Sequence, residues 1–169
     1  MNIAIPVFTH GITGVLAPGK GASGITLLGN ALSLNINMAD DNSTCQLAYM
    51  LQAPVYAYDS DETSKNYVEL GVAQLTVRLR ASSDSIFISQ CQVYDGEAEV
   101  FNIENLKLSS DNDKWMDHQI DLPKWYDQFN YSIGILFTIK AGSGGVMAHQ
   151  LKISSVGGFF TSPDAPGDS

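Results

Sequence analysis

The sequence predicts an all-β domain, an antiparallel β-sandwich of jelly-roll or immunoglobulin-like kind with about eight to ten strands. Three observations predict it. Apolar side chains recur at every second position in run after run. Polar turn clusters separate the runs at short intervals. No segment carries the 3.6-residue apolar period over three turns that a buried helix face requires.

The runs follow one another along the chain. Leu32, Leu34, Ile36 and Met38 share one side, and Cys45, Leu47, Tyr49 and Leu51 form the next run. Ala73, Leu75, Val77 and Leu79 alternate with Gln74, Thr76, Arg78 and Arg80. Phe87, Cys91 and Val93 are expected on one face of the following run. Ile133, Ile135, Phe137 and Ile139 alternate with Gly134, Leu136, Thr138 and Lys140, and Leu151 with Ile153 marks the last run. Such alternation belongs to half-buried antiparallel strands, one face dry and one wet. Between the runs lie Pro18-Gly19-Lys20-Gly21, Asp40 to Ser43, Asp59 to Asn66, Ser82 to Ser85, Asp95-Gly96, Ser109 to Asp113 and Gly142 to Gly145. These residue types favour turns through positive φ, fixed φ or local side-chain bonds. The segment Lys124 to Asn130 is read as one helical turn at most.

A chain of 169 residues suits one domain. The reading places that domain over residues 1–160 and a flexible tail over 161–169, which holds two prolines, a glycine and two aspartates. Charged residues make up only 16 %, which fits strand faces covered by neutral polar side chains. Net charge is −9, so the surface repels phosphate backbones and anionic headgroups, and nucleic acid is a poor partner. No stretch approaches the roughly 20 apolar residues of a membrane span. The N-terminus lacks a basic segment followed by a long apolar one. A cytoplasmic location is therefore expected, with export by a route that reads no such signal left open. Cys45 and Cys91 are read as two buried free thiols in preference to a disulfide. With His10, His118 and His149 far apart, no zinc spacing is present.

Several landmarks fall in a familiar order. His10-Gly11 is followed by Gly19, Gly21 and Gly24, then Ala53-Pro54, Val93-Tyr94-Asp95-Gly96, Leu106-Lys107-Leu108-Ser109, Ile133-Gly134-Ile135 and Gly157-Gly158-Phe159-Phe160. This order resembles a family of small uncharacterised proteins from bacteria and fungi. Its members carry His-Gly, Ile-Pro-Thr-Pro, Val-Tyr-Asp-Gly, Leu-Ser-Gly and a closing Gly-Ala-Asp-Phe-like end. The likeness runs over about residues 7 to 160 through short motifs. Ala53-Pro54-Val55 lacks the second proline, Ser110 replaces a glycine, and Gly158-Phe159 replaces Ala-Asp. The resemblance implies one β-domain and no particular activity.

Four constellations carry chemistry. His10 beside Gly11 has the type of a general base. No nucleophile motif or acid accompanies it, and the plain alternative is a turn in which His10 bonds a carbonyl and Gly11 takes a positive φ. Asp95-Gly96 is a hairpin turn signal, with Asp95 and Glu97 as alternative ligands of a cation or a sugar hydroxyl. Asp111, Asp113 and Asp117, and likewise Asp59, Asp61 and Glu62, are candidate calcium ligands. Neither set follows the EF-hand spacing, so solvated loop charge is the default and no cofactor is expected beyond a possible calcium.

The fourth constellation weighs most. Trp115, Trp125, Tyr126, Phe129 and Tyr131 are interleaved with Asp117, His118, Asp121, Asp127 and Asn130. Aromatic faces stack on the apolar side of a sugar ring while carboxylates and amides bond its hydroxyls. The plain alternative is that Trp115, Ile120 and Leu122 face a core capped by Trp125. The candidate binding residues are Trp115, Asp117, His118, Trp125, Tyr126 and Asp127. The function expected is a non-catalytic binding module with a carbohydrate ligand. The alternative is a self-assembling structural protein, and a homo-oligomer is expected.

Overall fold

Thirteen strands account for most of the described chain in the computed structural model, which describes residues 4–17, 22–28, 31–37, 43–52, 56–58, 67–111, 113–127, 129, 132–142 and 148–162. In chain order they are β1 (Ala4–His10), β2 (Val15–Ala17), β3 (Ala22–Leu28), β4 (Ala31–Asn37), β5 (Ser43–Leu51), β6 (Tyr56–Tyr58), β7 (Tyr67–Glu69), β8 (Gly71–Ala81), β9 (Ile86–Asp95), β10 (Ala98–Ile103), β11 (Met116–Tyr126), β12 (Ile133–Ala141) and β13 (Ala148–Thr161). One sheet runs β11-β8-β13-β4-β3, with β1 added beside β13. The other runs β10-β9-β12-β5-β2, and β6 with β7 forms a separate ribbon. Every paired strand is antiparallel to its neighbours. The chain crosses between sheets at most connections, the winding of a jelly roll. No helix among the described residues is long and apolar enough to cross a membrane.

The two inner faces meet in one core. Leu32 and Leu34 of β4, Leu75, Val77 and Leu79 of β8, and Leu151, Ile153 and Val156 of β13 come from one sheet. Cys45, Leu47, Tyr49 and Leu51 of β5, Cys91 and Val93 of β9, and Ile133, Ile135, Phe137 and Ile139 of β12 come from the other. All are buried. This is the alternation read from the sequence, now stacked face to face. Cys45 and Cys91 are buried free thiols.

The simple period fails at several bulges, and two of them correct the sequence reading. In β9, Ile88 pairs with Ile139 and Gln90 with Thr138, so Ser89 is an extra residue. Its hydroxyl donates to the Thr138 carbonyl at 3.1 Å. The bulge reverses the phase: Ile86 and Ile88 are buried, while Phe87 leaves the face of Cys91 and Val93. In β8, Val72 and Leu75 are both buried, and Ala73 is not. Two further expectations change. Lys124 to Tyr126 extend β11 as strand rather than forming a helical turn. Thr161 pairs with Ala4 and Gly71, and Ser162 is buried, so the paired chain runs past residue 160. Residues 163–169, the Asp59 to Asn66 loop and most of the Gly142 to Gly145 loop lie outside the described residues.

Candidate functional site

Strand β11 carries most of the expected site, and its alternation divides it. Pairing with β8 sets Asp117 opposite Arg78, His118 opposite Val77, and Asp121 opposite Gln74. Partners in an antiparallel pair point to the same side. Val77 is buried, so His118 and Ile120 turn inward, whereas Asp117, Gln119 and Asp121 turn to the outer face. Asp117 meets Arg78 at 3.1 Å, and the Gln74 amide donates to Asp121 at 2.6 Å. His118 is half-buried, and its Nε2 has no hydrogen-bond partner. Trp115 stands half-buried just before the strand.

Pro123 interrupts the ladder, and pairing resumes only at Tyr126 opposite Val72. Tyr126 then turns inward and joins an edge-to-face chain, 5.4 Å from Phe101 and 4.6 Å from Phe129, which continues to Phe160. Trp125 goes to the opposite side. A Cβ on Gly71 would lie 2.5 Å from the Trp125 indole, so the missing side chain makes room for the ring. Gly71 sits between inward-facing Leu70 and Val72 and opens onto the outer face. Asp127 follows, half-buried. Of the six expected residues, the structure brings Asp117 and Trp125 to the outer face and sends His118 and Tyr126 inward.

That outer face holds aromatic residues that sequence reading did not select. Phe8 of β1 and Phe159 of β13 are 45 % and 50 % exposed. Their rings meet edge to face at 5.8 Å. Phe8 lies against Gly157, where a Cβ would come within 2.5 Å of the ring. Pairing gives the rows across the face: His10, Ser155, Arg78 and Asp117; Phe8, Gly157, Thr76 and Gln119; then Ala4, Thr161 and Gly71 beneath Trp125. Pro6 and Phe159 share the row between the last two. At about 3.3 Å per residue, the four steps from Gly157 to Thr161, and equally from Phe8 to Ala4, set Phe8 and Trp125 roughly 13 Å apart along the strands. Only Phe159 had a signal in the sequence, as an aromatic residue after two glycines. Phe8 had none, because its neighbours arrive from the far end of the chain.

The remaining candidates resolve into turns and pairs. His10 is exposed, and its carbonyl accepts from the Thr13 hydroxyl at 2.8 Å. Gly11 does not take a positive φ, contrary to expectation. It must be small because a Cβ would sit 1.7 Å from the Ile153 carbonyl oxygen. Gly96 does take a positive φ, 61°, directly after Asp95 in the two-residue hairpin loop from β9 to β10. A glycine there is what a type II′ turn needs. Asp113 is held by a two-pronged contact from Arg80, and Asp117 by Arg78, so two of the three carboxylates proposed for calcium face arginines. Hydrogen bonding from Arg80 holds the Asp113 carboxyl below its usual range. Among the described residues no three His, Cys, Asp or Glu side chains gather as a metal cluster. Asp59, Asp61 and Glu62 lie outside the described residues.

No protein-family model matches the sequence, and no curated protein matches it. Among solved structures, the chain is similar to TmCBM61 in complex with β-1,4-galactotriose, at 13 % identity and a TM-score of 0.44, over 90 % of this chain and 89 % of that one. It is similar to a xylan-binding module, CBM15, at 15 % identity and 0.48, over 98 % and 99 %. A third is a family two carbohydrate esterase from Cellvibrio japonicus, at 11 % and 0.37, where 98 % of this chain spans 36 % of that one. Identities this low carry neither a ligand nor a residue role over to this chain.

Proposed function

We propose that the chain is a non-catalytic carbohydrate-binding module whose ligand lies across the outer face of the six-stranded sheet. One observation carries the reading: Phe8 and Phe159 stand exposed on a strand surface, over a glycine, beside amide and hydroxyl side chains. Burial would normally claim two such rings, since each carries a large apolar area. Sugar rings offer the complementary surface, with C–H groups for the aromatic faces and hydroxyls for Gln74, Thr76 and Gln119. Trp125 extends the platform, and its length along the strands suits several sugar units of an extended chain.

The test is affinity for a panel of neutral β-1,4-linked polysaccharides. Replacing both Phe8 and Phe159 by Ala should weaken binding by at least about tenfold, a stacking contact's worth. Their exposure predicts a melting temperature close to that of the parent. A folded double variant with both parental affinity and parental stoichiometry would defeat the reading.

The assembly reading keeps one observation of its own. Val15 and Met50, 67 % and 68 % exposed, stand beside Ala48 on the outer face of the five-stranded sheet. A second copy of the chain would be the occupant of that patch.

A further inference from the structure

The other end of the five-stranded sheet carries a polar surface that the aromatic platform does not use. Alternation turns Gln90, Gln92 and Tyr94 of β9 outward. Glu99 pairs with Tyr94, Asn102 with Gln92, and Thr138 of β12 with Gln90, so all share that side. Their side chains hold one another. The Gln90 amide donates to Asn102 at 2.8 Å and accepts from the Thr138 hydroxyl at 3.1 Å. The Gln92 amide and the Tyr94 hydroxyl both donate to one oxygen of Glu99, at 2.6 and 3.2 Å. Asn102 donates in turn to Glu104 at 3.2 Å.

Bonds between side chains make up only about 10–15 % of those in proteins, yet five run through this one strip. On an exposed strand they set long, flexible side chains in one arrangement before any ligand arrives, which lowers the ordering cost of binding. An amide carries two N–H groups, and Gln90 and Gln92 each spend one in the ladder. The second of each is left for an incoming oxygen, and the carboxylates of Glu99 and Glu104 for incoming hydroxyls. Beside the strip, Ser89, Gln90, Glu104, Asn105 and Lys140 line an open cleft of about 230 Å³. That is below the roughly 300–1,000 Å³ of drug-sized sites and suits a single sugar ring. Tyr94 supplies the aromatic surface, backed by Gly134, where a Cβ would press to 3.2 Å from the Tyr94 side chain.

We propose that this strip is a second carbohydrate site, on the sheet opposite the first, and that it takes an uncharged sugar chain. Glu99 and Glu104, set against Lys140, repel a uronate or sulfated sugar, while neutral hydroxyls satisfy amides and carboxylates alike. The inference rests on the carbohydrate reading of the first face, and it makes one domain bivalent.

Titration with short neutral β-1,4-linked oligosaccharides, chosen from the polysaccharides that the protein binds, separates the two claims. The parent should take two oligosaccharides per chain. The Phe8→Ala/Phe159→Ala variant should keep one, held by the Tyr94 strip. Gln90→Ala/Gln92→Ala should keep the other, and combining all four changes should remove both. The amide pair is half-exposed, so that variant tests the strip without relying on Tyr94, whose ring packs beside Gly134. A stoichiometry of one that Gln90→Ala/Gln92→Ala leaves untouched would overturn the second site and leave the first standing. Absence of binding to every glycan in the panel would overturn both.

Discussion

Cys45 and Cys91 show how far a single side chain's surroundings reach. Burial among apolar neighbours pushes both thiols from 9.0 up to about 12. Tyr49, in the same core, is pushed up for the same reason. The unfolded chain ionises its thiols near pH 9 and the folded one does not, so the unfolded state binds fewer protons across that window. Stability is therefore complete below pH 9 and falls as pH rises toward 12, by about 1.4 kcal/mol per pH unit for each thiol. Chemical denaturation at stepped pH checks the slope. The same burial predicts that a thiol-reactive probe at pH 8 labels neither cysteine until the protein unfolds. Rapid labelling of the native protein would mean that the core opens more readily than its packing implies.

At the scale of elements, the strand edges and connections depend on a few polar anchors. Ser110 lies in the segment between β10 and β11, buried against the end of β8. Its hydroxyl accepts from the Ala81 amide at 2.6 Å and approaches the Ala81 carbonyl at 3.3 Å. Ser109 beside it donates to the Ile86 carbonyl at 2.7 Å. Together they tie the connection to the Ser82 to Ser85 turn. Ser110→Ala leaves the Ala81 amide buried without that partner, and should cost about 1–3 kcal/mol in thermal or denaturant unfolding. A variant as stable as the parent would show that another acceptor takes the amide. The sequence marked this segment as a turn and marked Ser110 as a departure from the resembling family. It did not show that the hydroxyl replaces a ladder bond, because Ala81 is 29 positions away.

Over the whole molecule, the two sheets leave two outer faces of different character. One carries aromatic rings over glycines, and the other divides into a polar strip near β10 and an apolar patch near β2. If the apolar patch seats a second copy, light scattering at micromolar concentration should give a discrete dimer, and Met50→Lys should return it to a monomer. A parental monomer at that concentration would retire the assembly reading. The net charge of −9 opposes close approach of two copies, so any dimer should strengthen with salt as repulsion is screened.

The fold class was legible because alternation is a local property: Ile133 to Ile139 read as a half-buried strand without knowing their partners. Bulges were not legible, since the extra residue at Ser89 exists only relative to β12, and it moved Phe87 off the expected face. The candidate site was legible in chemistry and not in geometry. Asp117 and His118 are neighbours in sequence and therefore lie on opposite sides of a strand, while Trp125 shares its face with Phe8 and Phe159 from the two ends of the chain. Residue order determined which side chains alternate and where the chain turns. Strand pairing alone decided which of them meet, because register joins distant segments and no local pattern encodes it.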